Sequence, residues 1–224
     1  MDAPSVQFAM ASRSAIDGVL SFMKRLWIFA AALPLALSCD AAWPAGNAQA
    51  GATKSAVCQA CHGANGNSTN PQWPRLAGLG EDYIVEQLDN FKSGKRKNVV
   101  MLPMASALSP EDMADIGAFF QAQTNTGGEV DPAHREAGEK LYRSGDKSRG
   151  IPACMACHDP TGRGNEPAKF PELRGQHSVY VTQQLNDYAS GARPAGPGAI
   201  METIAKRLST DDIRDVAAYL QGMH

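Results

Sequence analysis

Two short cysteine motifs hold the residues best suited to chemistry. The run CQACH at positions 58–62 recurs as CMACH at positions 154–158. Two cysteines three positions apart lie about one helical turn apart, so both sulfurs can bond the vinyl groups of one porphyrin. The adjacent histidine then projects toward the iron, and in an exported protein this pattern is the attachment signal of a c-type haem. The sequence therefore predicts two covalently bound haem c groups, attached through Cys58, Cys61, Cys154 and Cys157, with His62 and His158 facing the irons.

Cysteine pairs of this kind also occur in zinc sites and in redox-active disulfides. One pair could be half of a zinc site, and the two pairs together could form a four-cysteine zinc site. Against zinc, each pair has its own following histidine and its own Pro-x-Leu-x-Gly run, at 74–78 and 171–175. A thioredoxin-like pair would follow a β-strand, and no alternating pattern precedes either motif. The sequence favours haem.

A haem iron needs a sixth ligand or keeps an open position, and methionine is the candidate side chain. Met101 and Met201 are methionine in both copies of the repeat described below, each seven residues before the leucine that precedes the last helix. Met104 aligns with Ile204, so that position requires no sulfur, although Met104 remains the rival in the first half. A methionine in an apolar stretch usually only packs, but two in register favour iron ligands.

An internal repeat positions these residues. WPRLAG at 73–78 recurs as FPELRG at 170–175, and Leu108-Ser109 recurs as Leu208-Ser209. The order is kept and the offset drifts only through small insertions, which indicates a duplicated domain. Thr124 to Asp131, with two glycines inside it, is typical of a linker. The predicted boundaries are a first domain at 45–124, a linker at 125–131 and a second domain at 132–224.

Each half has the pattern of an all-α domain. Ile84, Leu88 and Phe91 have the spacing of one helix face, and the second half repeats it at 181, 185 and 188. Helix starts are predicted at 109–112 and 209–212, where serine precedes acidic residues, and further helices at 45–57 and 132–142. The loops that contain Pro74 and Pro171 are expected to supply a carbonyl for the N–H of each proximal histidine.

Composition limits the class of protein. Charged residues are 20%, hydrophobic residues 43% and the formal net charge is −2, which is typical of a globular protein and excludes a nucleic-acid-coating chain. Aromatic residues are only 7% and each half is short, so burial of apolar side chains alone is marginal. A large flat cofactor in each half would complete such a core.

The first 44 residues are interpreted as a secretory signal peptide with an over-long N-terminal extension. Met23-Lys24-Arg25 is a short positive region, and Leu26 to Leu37 is an uncharged apolar stretch too short for a comfortable membrane span. Cleavage is expected near Ala41 or Ala42. A lipidated Cys39 is the alternative.

Together these features resemble the class I c-type cytochromes, and the tandem arrangement resembles the dihaem cytochrome c4 family. The resemblance extends from about Ala45 to His224, including both approaches to the cysteine motifs and the loops after them. It implies two tandem domains, each a few helices wrapped around one covalently bound haem, in a periplasmic electron carrier. The iron ligands that it implies are His62, Met101, His158 and Met201.

Ligation by histidine and methionine leaves no open iron position for a substrate, and the sequence shows no constellation of acid, base and nucleophile. We therefore expect an electron-transfer protein and not an enzyme. The resemblance implies a donor of the quinol–cytochrome c reductase type, an acceptor of the terminal oxidase type and peripheral membrane association. The alternative is a dihaem oxidoreductase subunit, a peroxidase or a sulfur-compound oxidase, which would need one open or displaceable ligand.

Two further sets of side chains attract attention. The densest basic run lies just before Met101 and comprises Lys92, Lys95, Arg96 and Lys97. It is interpreted either as a docking or propionate-facing patch or as a solvated loop. Three histidines have no counterpart in the other half, and surface positions or local hydrogen bonds are expected for them: His134, His177 and His224.

Overall fold

The computed structural model describes residues 45–193 and 200–223. The predicted signal peptide and extension at 1–44, with Cys39, lie outside the described residues, as does His224. The described residues form helices and loops without a β-strand, and two isolated bridges join Asp146 to Ile151 and Asn165 to Phe170. The all-α prediction is confirmed.

Within the described residues, five α-helices form each half. Those of the first half are α1 (Ala48–Lys54), α2 (Ala56–His62), α3 (Glu81–Lys92), α4 (Met101–Ser106) and α5 (Pro110–Gln121). Those of the second half are α6 (Pro132–Ser144), α7 (Met155–His158), α8 (Ser178–Ser190), α9 (Ile200–Ala205) and α10 (Thr210–Gln221). None of these helices has the length and apolar character needed to cross a membrane. The domain boundaries given above stay predictions.

The helix expected at 45–57 is divided in two. Asn47 caps α1, with its Oδ1 accepting hydrogen bonds from the N–H groups of Gln49 and Ala50 at 2.9 and 3.1 Å. The N–H of Ser55 donates to Gly51 O at 2.8 Å and ends α1, and α2 begins at the next residue. The prediction of one continuous helix was wrong because no proline marks the break. In the second half, α6 matches the expected helix to within two residues.

The first and last helices of each half cross at a glycine. α1 packs against α5, and α6 packs against α10. A Cβ on Gly51 would lie 1.9 Å from Asp115 O, and a Cβ on Gly138 would lie 2.2 Å from Asp215 O. Both glycines are buried within their helices, so they serve the close approach of two backbones rather than a turn. The duplicated sequence therefore builds the same helix crossing twice.

Capping boxes begin α5 and α10, as predicted. Ser109 Oγ accepts from the N–H of Asp112 at 3.1 Å, and the Asp112 carboxylate accepts from the N–H of Ser109 at 2.9 Å. Ser209 and Asp212 repeat the pair at 3.1 and 2.7 Å. Each box satisfies two backbone groups at a helix end, which fixes the start of the helix.

Each half has its own apolar core. In the first, α3 packs against α4 and α5, and its predicted face of Ile84, Leu88 and Phe91 is buried. In the second, α8 packs against α9 and α10 and buries Val181 and Leu185. The cysteine motifs border these two cores, which places the candidate cofactor sites one in each half.

Candidate haem sites

The cysteines of both motifs lie at the edge of an apolar core. Cys58 and Cys61 lie on α2, whereas Cys154 directly precedes α7 and Cys157 lies within it. Cys58 and Cys154 pack against the cores of their own halves, and none of the four cysteines forms a disulfide. Burial raises the pKa of the Cys58 thiol and raises that of Cys154 to about 11. Neutral thiols bordering an apolar core suit thioether attachment of a flat apolar group better than thiolate chemistry.

The four-cysteine zinc site finds no support where the chain is described. Over residues 45–193 and 200–223, no three His, Cys, Asp or Glu side chains lie close enough together to hold a metal ion. The two cysteine pairs also belong to different cores. Each pair therefore acts within its own half.

The histidines of the motifs are buried, and each is held by one hydrogen bond. His62 Nδ1 lies 2.9 Å from Pro74 O, and His158 Nδ1 lies 3.0 Å from Pro171 O. Because a carbonyl oxygen only accepts, Nδ1 carries the hydrogen and Nε2 keeps its lone pair. Burial lowers the pKa of both imidazoles and so favours the neutral form. The prediction that the proline loops orient these rings is confirmed, and a neutral ring in this tautomer can bind iron through Nε2.

Matching backbone bonds hold the two proline loops. The N–H of Leu76 donates to Gly66 O at 2.8 Å, and that of Leu173 donates to Gly162 O at 2.7 Å. Gly66 and Gly162 have φ of 76° and 75°, a region that L side chains rarely adopt. A Cβ on Gly162 would also lie 2.5 Å from Met223 Sδ. These glycines allow the backbone turns that bring the carbonyl of each proline loop to its histidine.

Met101 and Met201 pack against the same cores as the cysteines. Met101 begins α4 and Met201 is the second residue of α9, and both are half-buried. Met104 is 46% exposed. A side chain turned toward solvent is poorly placed to reach a cofactor in the core, so the packing favours Met101 over Met104. Iron ligation by Met101 and Met201 stays a prediction.

These side chains fit a c-type haem. Each half brings a pair of thiols, a neutral imidazole and a half-buried thioether to the border of one apolar core. Imidazole and thioether are the axial ligands of many c-type cytochromes, and thioether ligation raises the reduction potential. The nitrogen that faces away from the proline carbonyl, Nε2, is the one that would bind iron in both halves.

Arg96 belongs to the contact between the halves and not to a solvated basic patch. Its guanidinium donates to Gln87 Oε1 at 2.9 Å and, across the contact, to Tyr180 OH and Gln184 Oε1 at 2.9 and 2.6 Å. Arg193 of the second half makes the corresponding bonds, to Gln184 of its own half and to Tyr83 and Gln87 of the first half. For Arg96, the interpretation as part of a solvent-facing docking patch or of a solvated loop was wrong, because two of its partners lie 84 and 88 positions along the chain.

His177 also joins the halves. It is buried, and its Nε2 lies 2.8 Å from Ser68 O of the first half. Next to it, Gln176 Oε1 accepts from the N–H of Arg75 and Gln176 Nε2 donates to Arg75 O, both at 2.9 Å. A surface or local role for His177 was wrong, since its partner lies 109 positions away. At the offset of 97, Gln176 and His177 correspond to Leu79 and Gly80, so this polar pair is present in one copy of the repeat and not in the other.

The chain matches the family model described as cytochrome c twice, over residues 48–124 and 136–224. It is 46% identical over 190 residues to the cytochrome c4 of Azotobacter vinelandii, covering 80% of this chain and 90% of that protein. It is 39% identical over 176 residues to a thiosulfate dehydrogenase electron acceptor of Stutzerimonas stutzeri, covering 76% of this chain and 81% of that protein.

The fold agrees with a solved structure, that of reduced recombinant cytochrome c4 from Pseudomonas stutzeri. The TM-score is 0.78 at 45% identity, and the match covers 80% of this chain and all of that one. Two cytochrome c domains, each with its own attachment motif, carry two covalently bound haem c groups. With both domains in one polypeptide, the chain belongs to the cytochrome c4 family.

Proposed function

We propose that this chain shuttles electrons between respiratory redox proteins in the periplasm, from a donor of the quinol–cytochrome c reductase type to a terminal oxidase. Electron transfer, and not enzymatic turnover, is the function of the family to which it belongs. Periplasmic location is supported by the signal-like sequence at 1–44, and the oxidase is the acceptor that the family resemblance suggests.

The observation that carries this proposal is the equivalence of the two sites. Both halves present a buried neutral histidine fixed by a proline carbonyl and a half-buried methionine at matching positions. When bound, each haem takes up and releases one electron at its iron. A dihaem oxidoreductase would need one site that differs, with an open or displaceable ligand, and the ligand candidates do not differ.

The surrounding contacts serve this role by restraining the imidazole rings and the two domains. The hydrogen bond to Pro74 O or Pro171 O orients the imidazole ring. The two-arginine contact between the halves holds the domains together through four hydrogen bonds, two from Arg96 and two from Arg193. A fixed ring and a fixed contact keep the rearrangement during electron transfer small.

The test uses the purified holoprotein in its reduced form, mixed with membranes that contain a terminal oxidase. We expect reoxidation in air that is abolished by cyanide, a ligand of the oxidase, while the spectrum of the cytochrome itself is unchanged by cyanide. Reoxidation that cyanide leaves unaffected, or cyanide binding to the cytochrome, would contradict the proposal.

A second candidate concerns the donor. Two relatives, one from Stutzerimonas stutzeri and one from Thiomonas intermedia, are named as thiosulfate dehydrogenase electron acceptors, at 39% and 35% identity. We therefore also propose a sulfur-compound dehydrogenase as a source of electrons. Reduction of the holoprotein by a purified thiosulfate dehydrogenase, dependent on added thiosulfate, would support this donor, and the absence of reduction would exclude it for that enzyme.

A further inference from the structure

An exposed apolar patch surrounds the predicted distal ligand of the first half. We define the 99–104 patch as Val99, Val100, Leu102 and Met104, which are exposed on the turn into α4 and along it. Val99 is 91% exposed. Four large apolar side chains clustered on six positions are more than the scattered exposure that any surface shows, and such patches mark interaction sites.

The patch is ordered by hydrogen bonds of its own. Asn98 Oδ1 accepts from the N–H groups of Val100 and Met101, both at 2.9 Å, and the N–H of Leu102 donates to Asn98 O at 3.0 Å. Met101 between them turns inward to the core. The same short segment therefore presents apolar side chains to the outside and a predicted iron ligand to the inside.

A positive rim accompanies the 99–104 patch. We define the lysine rim as the exposed side chains Lys92, Lys95 and Lys97. Residues 90–110 contain no Asp or Glu, so the positive charge of this segment has no acidic residue within it. An apolar centre with a charged rim is the usual anatomy of a protein interface, and a positive rim selects a negative partner.

The duplication provides an internal comparison for this rim. With the offset of 97 that relates Tyr83 to Tyr180, Arg96 corresponds to Arg193, which is kept for the contact between the halves. The three lysines correspond to residues without charge: Ala189, Ala192 and Pro194. Contacts that the fold requires are thus present twice, whereas the lysine rim is present once.

The apolar patch is repeated only in part in the second half, where Ile200, at the position of Val100, is also exposed. At an offset of 100, Leu102 corresponds to Glu202, which pairs with Lys206 at 2.5 Å. At this position the second half therefore carries an internal ion pair, where the first half has an exposed apolar side chain. Requirements of folding or haem binding would apply to both halves, so this difference points to a partner.

We propose that the 99–104 patch and its lysine rim form the docking surface for an acidic electron-transfer protein, which exchanges electrons with the first haem. The inference rests on the proposed electron-carrier function and specifies where one partner binds. An anionic membrane surface is the other candidate occupant. The packing of Met101 under the patch favours a redox protein, because contact at this point shortens the electron path to the first iron.

The experiment measures the second-order rate of haem reduction in the holoprotein by a reduced flavodoxin of net negative charge. Lys95→Glu with Lys97→Glu is compared with Lys140→Glu with Lys147→Glu, four lysines that are all exposed. Both double variants change the net charge equally. At low ionic strength we expect about a tenfold lower rate for the first and less than a twofold change for the second, with the difference lost in high salt.

Two readouts keep the outcomes separate. Absorption spectra and reduction by dithionite should be the same in all variants, which shows that both haems are in place. If flavodoxin reduces every variant at the same rate, the docking proposal is wrong while the electron-carrier function stands. If the rim lysines instead control cosedimentation with phosphatidylglycerol vesicles and leave the flavodoxin rate unchanged, the occupant is a membrane and the proposal is overturned.

Discussion

In the first half, α2 follows α1 across the single residue Ser55, whereas residues 145–154 separate α6 from α7 in the second half. The longer approach contains a short turn at Lys147–Arg149 and an isolated bridge between Asp146 and Ile151. Even so, the distances from the motif histidines to their proline carbonyls are 2.9 and 3.0 Å. The proximal geometry depends on the loop after each motif and tolerates a different approach before it.

The last helix of each half carries two aspartates at corresponding positions, and their charged or hydrogen-bonding partners differ between the halves. In the first half Lys54 Nζ contacts both Asp112 and Asp115, at 2.9 and 2.6 Å. In the second half Asp212 pairs with Arg149, and Asp215 with His134 at 2.8 Å. Lys54 therefore contacts both aspartates of the first half, whereas in the second half Arg149 and His134, on the neighbouring helix α6, each contact one.

The largest expected effect comes from removing one attachment motif. Cys58→Ala with Cys61→Ala should leave one haem per chain, because the thioether bonds of the first half are lost while those of the second remain. Haem content measured against protein concentration checks this, and Cys154→Ala with Cys157→Ala is the matched variant. Two haems retained in either variant would contradict the assignment of one haem to each half.

Replacing the glycine at either helix crossing should lower the stability of its half by the same amount. Gly51→Ala and Gly138→Ala would each place a methyl group within 2.2 Å of a backbone oxygen, which we expect to cost about 3 kcal/mol of stability. Denaturant unfolding followed by hydrogen exchange in each half measures the cost. Ala52→Ser and Ala137→Ser, at exposed neighbouring positions, are controls that should change little. A cost confined to one half would show that the crossings are not equivalent.

A smaller loss of stability, confined to the second half, is expected from Tyr142→Phe. The Tyr142 hydroxyl donates to Asp159 O at 2.6 Å, and Tyr142 is fully buried. Tyr142→Phe leaves that carbonyl without its partner, so we expect a loss of about 1 kcal/mol. Hydrogen exchange should become faster in α6 and α7 and stay unchanged in α1 and α2. Equal acceleration in both halves would argue against a local role.

The smallest expected effect is on the pH dependence of stability, through the ion pair of Asp212 with Arg149. The hydrogen bond from Arg149 lowers the pKa of Asp212 from 3.8 to about 2. Because the folded pKa is depressed, the stabilisation is complete above pH 3.8 and is lost as the pH falls toward 2. The pair is partly exposed, so solvent screens it. The pH dependence of the denaturation midpoint should be shallower in Asp212→Asn, and an unchanged slope would contradict this role.

The sequence predicted what is local or repeated. The cysteine motifs, the serine caps at 109 and 209 and the proline loops each depend on residues a few positions apart, and the repeat separated Met101 from Met104. The contacts between the halves could not be predicted in this way. Arg96, Gln176 and His177 bond to residues about 84 to 109 positions away, and a pattern in one segment carries no information on which distant segment it meets.

The central claim is that each half holds one haem closed by histidine on one side and methionine on the other. The absorption spectrum of the oxidised holoprotein tests it most directly, through the methionine–iron charge-transfer band of low-spin haem. We predict a band that Met101→Ala and Met201→Ala each reduce by half and that Met104→Ala leaves unchanged. A high-spin spectrum in the unmutated protein, or a band lost with Met104 and kept without Met101, would contradict the account.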